Sequence, residues 1–556
     1  MGGRRNLGKA LPFPTKAPRP PAASGRSSPP PGLSSWKARH GGTPMTSLDH
    51  GALRAPGVSP VEREEPRSGG PARLADPRLL RQFAFIAGRW RAAPTGAALA
   101  VEDPATGEIL GHVPDLGARE TREAINAAEE AFAGWASLLP QERARFLRAW
   151  HDLIAENRAD LATLMVLEQG KPYAEALGEI DYAASFVEWY AEEARRLVGE
   201  MPASHLPNRV MQVRREPVGV VAAITPWNFP CAMITRKAAA ALAAGCPVVV
   251  RPASETPFSA LALAELASRA GLPAGTFSVV TGRAEPIARE LAENPKVRAL
   301  SFTGSTEIGA RLIAAAAPTI KRMSMELGGH APFILFGDVD LDEAVEAALA
   351  AKFQTSGQDC LAANRIFVHE DICEPFLARF AARVKALKVG SGFEEGVEIG
   401  PLMHAHAVDK CAEHVKDALA RGARLLAGGE RHRRGPLFFT PTLLADCDEQ
   451  MAIFAEETFG PVAAVTSFAC ESEVLARANA SEYGLAAYLY SRDHDRIARM
   501  SRALAYGMVA VNCVTMTGAP IPFGGIKRSG LGREGGPHGI EEFTELKYVC
   551  AAFKAA

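Results

Sequence analysis

The apolar run GVVAAIT at 219–225 opens the stretch of sequence that decides the fold. Strands are predicted at 219–225, 247–250, 277–280 and 297–302, and helices at 233–244, 259–270 and 286–293. Short apolar runs bounded by Gly and Pro favour buried strands, and longer runs with helical spacing favour helices. This strand–helix alternation predicts a parallel sheet of the dinucleotide-binding type.

Two regions flank this stretch. Residues 121–197 carry apolar side chains at the spacing of long amphipathic helices. A second α/β stretch starts near residue 326. We therefore predict an α/β protein with a Rossmann-like cofactor domain and a second α/β domain.

Composition excludes several classes of protein. The 556 residues carry a formal net charge of −1, which argues against a nucleic-acid partner. The sequence contains no run of about 18 uncharged apolar residues, so no membrane helix is predicted. The 13 His lack ligand spacing, so no metal site is expected, and the nine Cys contain no C-x-x-C pair. These cysteines indicate a reducing, cytoplasmic location.

The first 80 residues differ from the rest. Up to Leu48 they contain no acidic residue and many prolines, so residues 1–80 are predicted to be disordered. One interpretation is an over-extended terminus with Met45 as the true start. The other is an organelle transit peptide, although its prolines oppose the amphipathic helix that such a peptide needs. Order is expected from about Gln82.

Two motifs are set aside. The run GLGREG at 530–535 matches a nucleotide fingerprint but stands too near the end to open a βαβ unit. It is interpreted as a glycine-rich loop. Asp338, Asp340 and Asp342 imitate a calcium loop, but the required Gly and Glu are missing, so a helix-capping acidic turn is expected.

Three segments carry chemistry. Cys360 ends SGQDC (356–360), a polar turn between apolar segments in which substrate can reach a thiol. Glu326, in MELGG (325–329), is expected to be partly buried. Burial raises the pKa of a carboxyl toward the range in which it can act as a general base. Asn228 lies in the loop TPWNFP (225–230), whose two prolines make it rigid, so the position of its side-chain amide donor is fixed.

Together these segments resemble the aldehyde dehydrogenase superfamily over about 82–548. Further matching segments are FTGSTEIG (302–309), EETFGP (456–461) and PFGG (522–525). Within the superfamily, the sequence is most similar to succinate-semialdehyde dehydrogenases.

The resemblance implies a mechanism. Cys360 would attack the aldehyde as a thiolate, and the Asn228 amide and the Cys360 backbone N–H would stabilise the oxyanion. After hydride transfer to a nicotinamide, Glu326 would activate the water that hydrolyses the thioester. Lys237 matches the family's active-site lysine, whose implied part is proton relay or cofactor contact.

NADP or NAD is the implied cofactor. The implied contacts are Thr225, Pro226, Trp227, Arg251, Ser254, Gly304, Ser305, Glu457 and Phe459. Gly304 and Ser305 open a helix, where backbone amides can bind pyrophosphate. Arg251 stands where relatives usually carry Lys, and Ser254 stands where NAD-preferring relatives carry Glu. We therefore expect NADP to be accepted, although Glu255 next door leaves the preference open.

The implied substrate contacts are Arg236, Gln354 and Thr517. Arg236 matches an arginine that binds the distal carboxylate in the semialdehyde branch, although it could also be a helix-surface arginine. Gln354 replaces a second arginine, which predicts relaxed selectivity toward longer semialdehydes. Asp359, beside the nucleophile, is expected to face away from it.

Alternatives remain open. Glutarate semialdehyde or a broad range of aldehydes could be the substrate, coenzyme A could take the acyl group in place of water, or the chain could be a catalytically silent relative. Glu326 favours hydrolysis, and the joint presence of Cys360, Glu326 and Asn228 favours an enzyme.

The resemblance also predicts domain boundaries. The cofactor-binding domain would span 82–325, interrupted by an oligomerisation hairpin at 199–218. The catalytic domain would span 326–528, and an oligomerisation tail 529–556. The active site would lie in the cleft between the two large domains. A homodimer or homotetramer acting on a small-molecule aldehyde is expected.

Overall fold

Short apolar strands alternating with helices build the fold. The computed structural model describes residues 74–554, which lie within one unit of the chain, Arg67–Ala556. The strands are β1 Ala84–Ile86, β2 Arg89–Arg91, β3 Ala98–Glu102, β4 Ile109–Pro114, β5 Arg209–Pro217, β6 Val220–Ile224, β7 Val248–Arg251, β8 Phe277–Val279, β9 Val297–Thr303, β10 Arg322–Glu326, β11 Ala331–Leu335, β12 Ala363–His369, β13 Arg424–Ala427, β14 Thr442–Ala445, β15 Val462–Phe468, β16 Ala486–Tyr490, β17 Met508–Val511, β18 Gly530–Leu531 and β19 Thr544–Ala552.

Helices cover these strands. They are α1 Ala118–Ser137, α2 Pro140–Glu156, α3 Arg158–Gln169, α4 Tyr173–Glu193, α5 Ala232–Ala244, α6 Pro257–Arg269, α7 Ala284–Glu293, α8 Thr306–Ala316, α9 Leu341–Phe353, α10 Glu370–Ala386, α11 Ala405–Ala420, α12 Ala452–Ala455, α13 Glu471–Asn479, α14 His494–Ala503 and α15 Gly536–Gly539. Short 3-10 turns lie at Pro77–Leu79, Ala194–Arg196, Ala317–Thr319, Gln354–Gly357, Lys527–Ser529 and Glu541–Phe543.

The first sheet has the strand order β18-β10-β9-β6-β7-β8-β1-β2. Strands β6 to β10 run parallel, and the β1–β2 hairpin at one edge and β18 at the other add antiparallel strands. After β8 the chain crosses to β9 on the other side of β6. This reversal creates a crevice at the carboxyl ends of β6 and β9, the place where ligands bind in open α/β sheets. The predicted parallel sheet is confirmed.

The second sheet has the order β13-β14-β15-β12-β11-β16-β17. All its neighbouring pairs are parallel except β13–β14. The amino ends of β12 and β15 follow the loops that carry Cys360 and Glu457. The predicted second α/β stretch from about residue 326 therefore has its own sheet.

Burial on both faces explains the uninterrupted apolar runs. Every residue of β6 and of α5 is buried. The alanines of α5 leave room for close contact with α4, and both helices share one apolar core with Trp135 and Trp150. Burying one such large side chain contributes roughly 1.5–3 kcal/mol. The helix carrying Arg236 and Lys237 is thereby fixed relative to the sheet.

A two-stranded ribbon joins the two segments predicted to form the oligomerisation element. β5 pairs antiparallel with β19, from Arg209 opposite Ala552 to Pro217 opposite Thr544. Within the predicted tail 529–556, β18 pairs with β10 at the edge of the first sheet. The domain boundaries remain predictions.

The predicted disorder of residues 1–80 is wrong at its end. Pro77–Leu79 forms a 3-10 turn capped by Asp76, and Leu79 is buried. Asp160 accepts the N–H groups of Ala75 and Asp76 at 2.8 and 2.7 Å, which fixes the chain there. The predictions for residues 1–73 lie outside the described residues.

The acidic turn at 338–342 leads into α9. Asp340 caps α9 by accepting the N–H groups of Asp342 and Glu343, so the acidic turn is a helix cap. Across residues 74–554, none of the helices combines the length and apolarity needed to cross a membrane.

Candidate active site

The two sheets bring their strand ends together at the site. Strands β6, β9 and β10 are neighbours and end at Ile224, Thr303 and Glu326. The loops that follow them carry the predicted TPWNFP, GST and MELGG segments. From the second sheet, Cys360 and Glu457 arrive in loops that precede strands. Carboxyl ends therefore face amino ends across the site.

One cavity, of about 220 Å³, brings together several of the residues that were predicted to contact the cofactor. Its lining includes Pro226, Trp227, Asn228, Gly304, Ser305, Cys360, Glu457 and Phe459. The rings of Trp227 and Phe459 meet edge to face with centroids 5.6 Å apart. Ser305 caps α8, so the amino end of that helix points toward the cavity.

A second cavity, of about 290 Å³, brings together the three residues that were predicted to contact the substrate. Its lining includes Tyr182, Arg236, Gln354, Asp359, Cys360 and Thr517. Cys360 lines both cavities. The thiol therefore lies where a substrate and a cofactor can meet.

The loop before the nucleophile holds an uncommon conformation. Thr355, Ser356 and Gly357 have φ of 50°, 57° and 73°. Non-glycine residues reach this region at a cost of roughly 1–2 kcal/mol each. Hydrogen bonds hold it: Glu175 accepts the N–H of Thr355 at 2.9 Å, and the Ser356 hydroxyl donates to the carbonyl of Gly400 at 3.1 Å. Strain held in this way is typical of a functional loop.

Close backbone contacts fix Cys360 relative to its neighbours. Asn228 Nδ2 donates to the carbonyl of Gln358 at 3.0 Å, which leaves its second N–H for a ligand. A Cβ at Gly329 would lie 2.2 Å from the carbonyl oxygen of Cys360. Only glycine allows this approach, which explains Gly329, the second glycine of the MELGG segment.

Glu326 is an unpaired buried acid. Its side chain is 2% exposed, and neither carboxyl oxygen has a hydrogen-bond partner among the described residues. Burial, and then the nearby charge of Glu534, raise its pKa well above the ordinary value, while Arg236 and Lys237 act in the opposite direction. Such a carboxyl can accept a proton near neutral pH.

Glu534 is a buried residue that the sequence analysis missed. It forms ion pairs with Lys237 and with Arg236, whose Nε lies 2.6 Å from Oε2, and it accepts the hydroxyl of Ser301 at 3.1 Å. Burial alone would raise the pKa of Glu534, but the two cations hold it below its ordinary value. The feature of the sequence that could have indicated this residue is the presence of an acid within the glycine-rich run 530–535, which was interpreted only as a loop.

A second buried pair was also missed. Lys171 Nζ lies 2.5 Å from Glu179 Oε2 and donates to the carbonyl of Asn228 at 2.7 Å. Glu179 accepts the N–H groups of Cys231 and Ala232 at the start of α5. The pair therefore supports the loop that carries Asn228.

The expectation that Asp359 faces away is wrong. Asp359 lines the substrate-side cavity together with Cys360, and its charge acts on the thiol. Burial, then Asp359, then Glu457 raise the pKa of Cys360 well above its ordinary value. The sequence shows the acid beside the thiol, but the direction of its side chain depends on the strained loop.

Arg251 and Ser254, which were expected to bear on the choice between NADP and NAD, lie apart from Cys360. Arg251 donates to the Ser254 hydroxyl at 2.8 Å, and its buried Nε has no hydrogen-bond partner among the described residues. Ser254 and Glu255 line a separate cavity of about 480 Å³. Thr225 donates its N–H to the carbonyl of Arg251 at 3.1 Å, which links Arg251 to the loop of Asn228.

Comparison with known proteins shows the family of the chain. The pattern of the aldehyde dehydrogenase family matches residues 90–549. An aspartate-semialdehyde dehydrogenase (non-phosphorylating) of Halomonas elongata is 56% identical over 86% of this chain and 97% of its own length. A succinate-semialdehyde dehydrogenase [NADP(+)] of Escherichia coli is 54% identical over 86% and 99%.

A solved structure agrees as well. The crystal structure of succinate-semialdehyde dehydrogenase from Burkholderia pseudomallei has a TM-score of 0.86 and 53% identity, covering 86% of this chain and all of that one. The chain belongs to the aldehyde dehydrogenase family. It is an oxidoreductase that oxidises an aldehyde with NAD or NADP. The predicted fold class and the resemblance to succinate-semialdehyde dehydrogenases are confirmed.

Proposed function

We propose that the chain oxidises an aldehyde with a distal carboxylate, such as succinate semialdehyde, to the corresponding acid. The observation that carries this proposal is the cavity shared by the Cys360 thiol and the Arg236 guanidinium. Arg236 is 1% exposed, and its Nη1 has no hydrogen-bond partner among the described residues. A carboxylate can satisfy such a group by a charge-assisted bond.

The residues divide the chemistry among them. Cys360 attacks the carbonyl carbon as a thiolate, and the free amide N–H of Asn228 stabilises the oxygen that becomes charged. Loss of hydride from this adduct leaves a thioester on Cys360. Glu326 takes a proton from water, the hydroxide attacks the thioester, and the acid leaves as the thiolate re-forms.

The cofactor-side residues fit a dinucleotide. Gly304 and Ser305 would hold the pyrophosphate at the start of α8, and Glu457 and Phe459 would hold the nicotinamide end. When bound, NAD(P)⁺ supplies the hydride acceptor. Lys237 holds a proton in the ion pair with Glu534, close to Glu326.

The cofactor preference can be tested by kinetics. We expect NADP to be used at least as well as NAD, because Ser254 carries no charge that repels a 2′-phosphate and Arg251 lies 2.8 Å from its hydroxyl. Ser254→Glu should shift the kcat/KM ratio toward NAD by about tenfold or more. Ser137→Glu, which adds the same charge at the exposed end of α1, is the control. A wild-type preference for NAD above about tenfold would contradict the proposal.

Substrate recognition can be tested at Arg236. We expect Arg236→Ala to raise KM for succinate semialdehyde by roughly 10–150-fold, because a hydrogen bond to a charged group contributes about 1.5–3 kcal/mol. KM for butanal, of the same length without the carboxylate, should change by less than about threefold. Arg148→Ala removes a surface ion pair and serves as the control variant. Equal changes for both aldehydes would refute the role of Arg236.

Glutarate semialdehyde is the second candidate substrate. Gln354 lines the cavity where the resemblance led us to expect a second arginine, so the distal carboxylate has fewer charged donors. A longer chain could then place its carboxylate differently. A kcat/KM for glutarate semialdehyde above that for succinate semialdehyde would favour this candidate.

We also propose that the protein is a cytoplasmic homodimer or homotetramer. The ribbon of β5 and β19 supports assembly, because Val210, Leu546 and Tyr548 on it are exposed apolar side chains. All nine cysteines of the sequence are free thiols, which suits a reducing compartment. Size-exclusion chromatography with light scattering tests the assembly.

A further inference from the structure

The substrate-side cavity contains more acids than an anionic substrate alone would require. Its charged lining residues are Lys171, Glu175, Glu179, Arg236 and Asp359, two bases and three acids. A cavity built only for a carboxylate would be expected to carry an excess of positive charge, because like charges facing a ligand weaken its binding. One of the three acids therefore calls for an explanation.

Two of the acids already have protein partners. Glu179 is paired with Lys171 and accepts two N–H groups of α5. Glu175 accepts the backbone N–H and the hydroxyl of Thr355, which holds the strained loop. The carboxylates of both acids hold parts of the site in place. They are therefore already engaged and do not select the substrate.

Asp359 is different. Its Oδ1 accepts the N–H of Leu361 at 3.0 Å, and it lines the cavity beside the Cys360 thiol. Within residues 74–554 it forms no ion pair, although it faces the cavity that Arg236 lines. Burial raises the pKa of Asp359, and the charges of Lys171 and Arg236 lower it without forming an ion pair. A partly buried carboxylate with no ion pair is unfavourable, and a cationic ligand in contact with it would reduce this cost.

We propose that Asp359 is a specificity-determining residue that binds an ammonium group of the substrate, so that the preferred aldehydes carry both a carboxylate and an amino group. This inference rests on the proposed function of the same cavity. Arg236 would hold the carboxylate, and Asp359, adjacent to the nucleophile, would hold the ammonium. An α-amino semialdehyde with four carbons has this arrangement, because its amino and carboxylate groups branch from one carbon.

Electrostatics of the thiol agree with this assignment. Burial and the carboxylate of Asp359 both raise the pKa of Cys360. An ammonium beside Asp359 would offset the field of that carboxylate and favour the thiolate. The aminated substrate would therefore promote the ionisation of the nucleophile that attacks it.

Two aldehydes that differ only in the ammonium group provide the test. Succinate semialdehyde and L-aspartate semialdehyde share one carbon skeleton. We expect the wild-type kcat/KM to be at least about tenfold higher for aspartate semialdehyde, and Asp359→Asn to lower the ratio of the two values by at least about 30-fold. Asp409→Asn, which changes an acid in a surface ion pair with Arg431, is the control and should change the ratio by less than about threefold.

The outcomes separate the inference from the proposed function. A wild type that oxidises succinate semialdehyde at least as well as the aminated aldehyde, or an unchanged ratio in Asp359→Asn, overturns the inference and leaves the proposed function standing. Oxidation of butanal with neither semialdehyde accepted overturns the proposed function itself.

A measurement on the wild-type enzyme covers the case in which the variant does not fold. L-Aspartate should slow the alkylation of Cys360 by iodoacetamide at a concentration at least about tenfold lower than succinate. Equal protection by the two acids overturns the inference.

Discussion

Replacing Cys360 with serine is expected to lower kcat for aldehyde oxidation by at least about 1000-fold. Removal of a catalytic nucleophile in other enzymes lowers kcat by roughly 10⁴–10⁶-fold. A serine hydroxyl stays protonated and is a weak nucleophile without an adjacent base, whereas a thiol supplies thiolate as the pH rises. The formation of reduced cofactor, followed by absorbance with saturating aldehyde, measures the change.

An exposed cysteine provides the control. Cys470 lies at the surface, so Cys470→Ser should keep the wild-type rate within about twofold. Iodoacetamide should inactivate the wild type and Cys470→Ser alike. A Cys360→Ser enzyme that kept more than about a tenth of the activity would show that another group attacks the aldehyde.

Much of the fold could be predicted because its strands are buried on both faces. The runs at 219–225, 247–250 and 297–302 are uniformly apolar, and they became the neighbouring strands β6, β7 and β9. Residues that follow such strands must meet at one edge of the sheet, so Asn228 and Ser305 could be placed from their order along the chain.

The charge network of the site could not be predicted in this way. Glu534 comes from a glycine run at the end of the chain and reaches Lys237 only because β18 pairs back with β10. The direction of Asp359 into the cavity depends on the preceding residues Thr355, Ser356 and Gly357, which hold left-handed backbone angles. Such long-range contacts leave no periodic signal in the sequence.

These missed residues surround those that were predicted. Glu326 lies beside a cluster of Arg236, Lys237 and Glu534, whose two cations lower its pKa and whose acid raises it. Cys360 has Asp359 and Glu457 as acidic neighbours. The protonation of the base and of the nucleophile is therefore set by side chains from several distant segments, and variants at these positions should change the pH dependence of catalysis.

Replacing Glu326 with glutamine is expected to separate the two halves of the reaction. Glutamine keeps the shape of the side chain but cannot accept a proton, so thioester hydrolysis should slow by roughly 10²–10⁴-fold. Hydride transfer precedes this step and does not need the base. Rapid mixing should therefore show a burst of about one reduced cofactor per active site, followed by a very slow steady rate.

The pH profile sharpens this test, because burial raises the pKa of Glu326. Its basic form accumulates as pH rises through that raised pKa, so the hydrolysis-limited rate of the wild type should increase with pH, and this increase should be absent in Glu326→Gln. Glu449→Gln, which changes an acid in a surface ion pair, is the control. Loss of the burst together with the steady rate would place Glu326 before hydride transfer and would contradict its role as the base for water.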